Sequence, residues 1–189
     1  QRQRGAVFRA LSLLARRFGR AEVPDIFAVL HLNRRLFWPW LLFASRLMPG
    51  GRRAAAERET LILRTAWNCR SLYEWGQHVE IALAAGVDDA AILRVAQGPE
   101  ACADGHERAL LQACDELCRE RGLSDATWAA LARRYDSRLM IEIVVLVGHY
   151  IMIAGFLNSA GLKLEAPVAQ VLAAFEARAA DGAMRPDQG

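Results

Sequence analysis

The chain has 189 residues, of which 53% are hydrophobic and 24% charged, with a net charge of +3. That length allows one domain with a real core, and the composition excludes a disordered chain. The charge is too small to argue for nucleic acid, and the basic cluster from Arg2 to Arg20 reads as a solvated helix face.

Helical punctuation runs through the whole sequence, while sustained alternation and Gly-rich hairpin turns are absent. A first helix is predicted over Ala6–Phe18, and a short second one from Pro24-Asp25 to Leu32. Phe37-Trp38-Pro39-Trp40 leads an apolar helix that stops at Pro49-Gly50-Gly51, with Pro39 in its first turn, where a missing N–H costs nothing. Arg53–Asn68 and Ser71–Ala85 follow as two helices joined at a break. Asp88 caps a short helix ending at Ala96, and Gly98-Pro99 opens a loop. Asp104 through Glu107 starts the next helix, which runs to Arg121, and Ser124 caps another to Tyr135. Asp136 or Ser137 caps a long apolar helix to Ser159. Pro167–Ala180 is the last helix, with a frayed tail after Asp181. The expected fold is therefore all-α, a single-domain bundle of about eight to ten helices.

The apolar run Leu139–Leu157 is long enough to span a bilayer, but it contains Glu142 and His149 and has no second span beside it. It reads as a central helix buried on all sides, partly by a neighbouring subunit, so no membrane is expected. Arg9, Arg16 and Arg17 interrupt the only stretch resembling a secretory signal, which gives a cytoplasmic expectation. The four cysteines, Cys69, Cys102, Cys114 and Cys118, form no CxxC pair and read as reduced thiols. Cys114 and Cys118, one turn apart, would share a buried face.

Chemistry concentrates between Glu59 and His78. Glu59 has Ala55, Ala56, Ile62 and Leu63 at helical spacing, so a carboxylate sits on an apolar stripe and needs a partner; Glu57 and Arg58 lie off the stripe and read as solvated. His78, with Trp75, Ile81 and Ala82 around it, also faces inward. Glu74 lies one turn before it, placed to fix the imidazole tautomer for general-base work. Ser71-Leu72-Tyr73-Glu74 is also a literal capping box, which would occupy Glu74 with the Ser71 amide. Tyr73 and Trp75, with Trp67, Trp38 and Trp40, could wall an apolar pocket, and Cys69 sits in the break before the second helix. His149-Tyr150 offers either a structural hydrogen bond or a second wall, and His31 and His106 read as surface or cap positions. Glu59, Glu74, His78 and His149 have metal-site chemistry, but a di-metal bundle shows two Glu-x-x-His pairs. Here the spacing is four residues and occurs once, so no metal is expected. No Gly-rich phosphate loop or nucleophile elbow is present, and no cofactor is expected.

Glu59 followed by LILRTAWNCRSLYEWGQHVEIALAAGV from Leu61 to Val87 resembles the carboxymuconolactone decarboxylase family, which is related to alkylhydroperoxidase D. The likeness extends from Phe37 to Leu164, taking in the Asp104–Glu107 helix start, the Ser124 cap and the Gly-His-Tyr of the apolar helix. It implies a domain over 37–165, an N-terminal helical extension over 1–36, and a C-terminal helix and tail over 166–189. It also implies an all-α fold that assembles into homo-oligomers, trimers or hexamers, with a dimer as the other option. The peroxidase branch of that family uses a CxxC pair, a histidine four residues after it, and a glutamate on the preceding helix. By position, His78 and Glu59 match the relay, whereas Ser71 and Glu74 stand where the cysteines would be and Cys69 falls two residues early. A hydroxyl and a carboxylate cannot form a disulfide.

The expectation is therefore a non-redox acid–base enzyme acting by decarboxylation, isomerisation or cyclisation on a small, largely apolar carbonyl or lactone. His78 would be the acid/base and Glu59 its electrostatic partner. Glu74 and Tyr73 would be hydrogen-bonding groups, with Ser71, Trp67, Trp75, Cys69 and His149 around the substrate. The alternatives are a peroxidase working through Cys69 alone, and a non-catalytic assembly protein. The family's named reaction requires recognition of an acidic lactone, and no inward arginine is evident apart from Arg64 or Arg70.

Overall fold

The structure, a computed structural model, describes residues 23–183, with side chains through Ala180. The predicted helix over 6–18 and the end of the tail lie outside them. Nine α-helices and no strands are present among the described residues: α1 Asp25–Leu30, α2 Arg34–Leu47, α3 Ala55–Asn68, α4 Leu72–Ala84, α5 Asp89–Gln97, α6 Gly105–Glu120, α7 Asp125–Ala132, α8 Ser137–Ala160 and α9 Ala166–Ala183. A 3₁₀ turn, Pro99–Ala101, links α5 to α6.

The chain divides into two compact units, Gln1–Leu42 and Phe43–Gly189. In the first, α1 and the start of α2 hold a knot of rings: Phe27 lies against Trp40 at 5.8 Å, and His31 meets Phe37 edge-on at 5.0 Å. Helix α2 begins earlier than its sequence implied, because Asn33 caps it: the Leu36 and Phe37 amides are bonded to the Asn33 side chain and carbonyl, at 3.4 and 2.9 Å. Pro39 thus lies inside the helix and not in its first turn, leaving the Arg35 carbonyl without an intrahelical donor.

The second unit is organised around α3. Leu61, Ile62, Leu63 and Ala66 are all fully buried, so this helix is apolar around most of its circumference and is packed by α4, α5, α6 and α8. Leu61 and Ile62 join Leu110 and Cys114 of α6 and Ile143 and Leu146 of α8 in one cluster. Leu63 and Ala66 join Trp75 and Val79 of α4, Ile92 of α5 and Phe175 of α9 in another. Burying each large aliphatic side chain contributes about 1.5–3 kcal/mol, so Leu61, Ile62 and Leu63 anchor α3 in both clusters.

The caps at Asp88, Asp104, Ser124 and Asp136 all accept backbone N–H bonds, at 2.7, 3.0 and 2.8, 3.2, and 2.9 Å respectively. Helix α6 ends in a left-handed Arg121 (φ 63°) and α7 stops at Ala132, short of Tyr135. Helix α8 is long and apolar enough to cross a bilayer by length and composition. It is not buried on all sides in the single chain: Met140, Ile143, Leu146 and Ile153 face the core, while Ile141, Val145 and Met152 are exposed. Glu142 is accounted for, since it accepts the Arg52 N–H at 2.8 Å.

Candidate active site

Two features of the α3–α4 junction create the site. The Ser71 amide bonds back to the Ala66 carbonyl at 2.9 Å, and Arg70 takes up a left-handed conformation (φ 52°). Together they reverse the chain so that α4 packs along α3. The reversal brings His78 opposite Glu59, with Nδ1 2.7 Å from Oε2. The other Glu59 oxygen accepts from Arg58 Nε at 3.1 Å. Arg58 is therefore buried against the pair and not solvated as its sequence position implied; half-buried Glu57 instead pairs with Arg53 at 2.9 Å. Committing Nδ1 to a carboxylate fixes the tautomer and leaves Nε2 as the nitrogen that exchanges protons.

The capping box does not form. Ser71 occupies the N-cap position of α4, yet its side chain makes no cap bond and its amide is already bonded to Ala66. Glu74 is thereby released: it is 2% exposed, and neither carboxyl oxygen has a hydrogen-bond partner among the described residues. Nor does it bind His78, whose carboxylate partner is Glu59. Burial, with the Cys118 thiol nearby as a lesser cause, holds the Glu74 carboxyl well above the usual range, so it favours the protonated form. Buried Ser71 Oγ is likewise without a partner.

Tyr150 forms the far side. Its ring meets His78 edge-on at 5.1 Å and its hydroxyl is 3.3 Å from Met48 Sδ. Burial, then the charges of Glu59 and Glu74, push its phenol well above its ordinary range. His149 packs edge-on to Tyr150 at 5.3 Å and to Phe43 at 5.5 Å; burial lowers it to about 4, so it is neutral near pH 7.

The remaining predicted residues are placed elsewhere. The Tyr73 hydroxyl is 2.7 Å from Glu165 on the α9 side, and Gln77 reaches the same carboxylate at 2.5 Å, so Tyr73 is not grouped with Glu74. Trp75 is buried in the second core cluster. Trp67 meets it edge-on at 5.1 Å and is half exposed. Trp38 and Trp40 belong to the N-terminal unit. Arg64 is fully engaged: it grips Asp115 at 2.6 and 2.8 Å and donates to the Val95 and Ala96 carbonyls at 3.0 Å. Arg70 is exposed. His106 takes the cap position, its N–H donating to Asp104 at 3.0 Å, and its Nε2 lies 2.5 Å from the Tyr135 hydroxyl.

Cys114 is fully buried and Cys118 only half-buried, so the two do not share one buried face. Among the described residues no group of three or more His, Cys, Asp or Glu is placed to hold a metal ion.

No protein-family pattern matches the sequence, and no curated protein matches it. Solved structures do match. A peroxidase-related protein from Silicibacter sp. TM1040 superposes with a TM-score of 0.76 at 14% identity, covering 86% of each chain. A second, described as an alkylhydroperoxidase AhpD core from Ralstonia eutropha JMP134, gives 0.74 at 18% identity over 85% of each chain. The chain has the AhpD-like helical fold. The debrominase Bmp8, solved as a variant with 2,3,4-tribromopyrrole, has the same arrangement: TM-score 0.77, 14% identity, 93% of this chain and 94% of that one. The AhpD-like fold thus carries different enzymes, and at these identities the likeness establishes architecture alone.

Proposed function

We propose that the protein is an enzyme of the carboxymuconolactone decarboxylase type doing non-redox acid–base chemistry on a small, largely apolar carbonyl or lactone. Decarboxylation, isomerisation and cyclisation share one demand: a proton must leave or join carbon while charge on an adjacent oxygen is stabilised. His78 is the acid/base, and Glu59 orients it and stabilises the imidazolium formed during turnover. Glu74 is the second carboxyl, held protonated so that it can donate to a developing enolate oxygen. A carboxyl held in its protonated form by burial supplies the hydrogen-bond donor such a reaction requires. The observation that carries the reading is the 2.7 Å Glu59–His78 contact in a buried setting, with an unpartnered Glu74 one turn away on α4. The brominated pyrrole held by the debrominase of the same fold is compatible with a small, apolar substrate class.

The test follows proton movement directly. The protein is incubated in deuterated buffer with a panel of small lactones, enones and keto acids, and deuterium incorporation at carbon is read by mass spectrometry. At least one compound should exchange, and His78→Asn should abolish that exchange while the circular-dichroism spectrum is retained. Exchange that is equally fast in folded His78→Asn, or absent across the whole panel, overturns the proposal.

A further inference from the structure

We propose that Arg58 is a positioning residue of the acid–base centre: it supplies the cation that balances Glu59, so that His78 rests as a neutral base. The proposal rests on the role given to His78 above, and it assigns the choice of that ring's charge to a residue of α3.

The three groups form one buried array around a single carboxylate. Glu59 Oε2 meets His78 Nδ1 at 2.7 Å, and Glu59 Oε1 accepts from Arg58 Nε at 3.1 Å. The Glu59 side chain is enclosed at 0% exposure, while those of Arg58 and His78 are only 10% and 8% exposed. Arg58 is bonded to no other carboxylate among the described residues. The other buried arginines differ: Arg53 is held by Glu57 and Tyr135, and Arg64 by Asp115. The charge of Arg58 is thus committed to Glu59 alone.

The remaining titratable groups around His78 are uncharged near pH 7 or paired elsewhere. On its own helix, Glu74 is held protonated by burial. From α8, Tyr150 meets the ring edge-on at 5.1 Å with its phenol well above its ordinary range, and His149 behind it is lowered to about 4. On the α5 and α9 sides, Glu165 is engaged by Tyr73 and Gln77, Asp89 by Arg178, and Arg94 by Glu107.

Charge balance then decides the state of the ring. A buried cluster tolerates an unpaired charge poorly. Arg58 and Glu59 already sum to zero, so a proton added to His78 would stand without a counter-ion. The ring therefore keeps hydrogen on Nδ1, facing Glu59, and a lone pair on Nε2. Without Arg58 the carboxylate would need another cation, and His78 is the group bonded to it that can become one. That pair would rest as carboxylate and imidazolium, with no lone pair to offer. The same balance holds in turnover: the proton taken from substrate carbon passes to Nε2, its electron pair moves onto the adjacent oxygen, and the enolate's charge answers the new imidazolium.

The experiment follows the imidazole nitrogens of the nitrogen-15-labelled full chain by NMR as pH is varied, with the His78 signals assigned by their loss in His78→Asn. At pH 7.5 wild-type His78 should show one protonated and one bare nitrogen. Arg58→Met should move its titration upward by about 1–2 pH units, the effect of removing one unit charge across a carboxylate at an effective dielectric of about 20. Arg58→Lys keeps the charge and should stay close to wild type. For any compound that exchanges deuterium, the pH at which exchange rises should move with the titration in Arg58→Met. An imidazolium in the wild type at pH 7.5, an unmoved titration in folded Arg58→Met, or an equal move in Arg58→Lys overturns the proposal. The wild-type spectrum remains a test even if a variant does not fold. It also needs no substrate, so a panel without exchange overturns the function proposed above and not the charge assignment.

Discussion

Replacing Glu74 by Gln isolates the electrostatic strain at the site. The carboxyl is 2% exposed and has no hydrogen-bond partner among the described residues, so its ionised form is poorly tolerated in the native state. In the unfolded chain a glutamate titrates at about 4.3. Above that pH the unfolded state has released its proton while native Glu74 retains it, so the native state binds more protons and stability declines as pH rises. The expected slope is about 1.4 kcal/mol per pH unit, from the unfolded value up to the raised native one. Glu74→Gln is neutral at every pH and lacks this slope. Its extra buried N–H shifts its stability by an amount that does not depend on pH, and every other titrating group is common to both proteins. Urea unfolding of wild type and variant from pH 4 to pH 8 should therefore give curves that diverge from about pH 4.3 upward, with the wild type falling relative to the variant. Parallel curves would show that Glu74 ionises freely in the folded protein, and the role of proton donor would go with them.

Three further substitutions test the surroundings. Arg64→Met strands Asp115 and the Val95 and Ala96 carbonyls and should cost about 3–5 kcal/mol in urea unfolding, whereas a loss below about 1 kcal/mol would mean the grip is ornamental. His149 is lowered to about 4 by burial, so on acidification the unfolded state gains its proton first and stability falls between about 6.5 and about 4. His149→Phe, a ring already matched to Phe43 and Tyr150, should recover roughly 1–3 kcal/mol at the acid end, the lower figure reflecting solvent at its rim; equal acid sensitivity in the two proteins contradicts this. Leu63→Ala, at the centre of the second core cluster, should lower stability by about 2–5 kcal/mol while leaving the Glu59–His78 geometry to be checked by deuterium exchange.

The helices were legible because their signals are local. Asp88, Asp104, Ser124 and Asp136 announced four starts, and the apolar spacing around Glu59 and His78 placed both inward. What the sequence hid was tertiary. S-x-x-E spelled a capping box, but the Ala66 carbonyl had already taken the Ser71 amide, a choice made by the turn and not by the motif. Arg58 precedes Glu59 directly, and i,i+1 neighbours on a helix diverge unless a buried charge draws them together, as it does here. The exposed Ile141, Val145 and Met152 fell inside a run so apolar that no face could be told from another.

The left-handed Arg70 also makes this part of the chain a measured length. Glu59 and His78 are 19 positions apart, and the contact between them depends on that count as much as on their chemistry. One residue added within α3 beyond Glu59 would swing that carboxylate about 100° around the helix and carry it about 1.5 Å along the axis, away from the imidazole. A residue added near Gly122, where α6 has already ended, would disturb nothing in the pair. Length variation among related chains should accordingly collect in the outer loops, and the interval from carboxylate to imidazole should stay constant even where most side chains between them have changed.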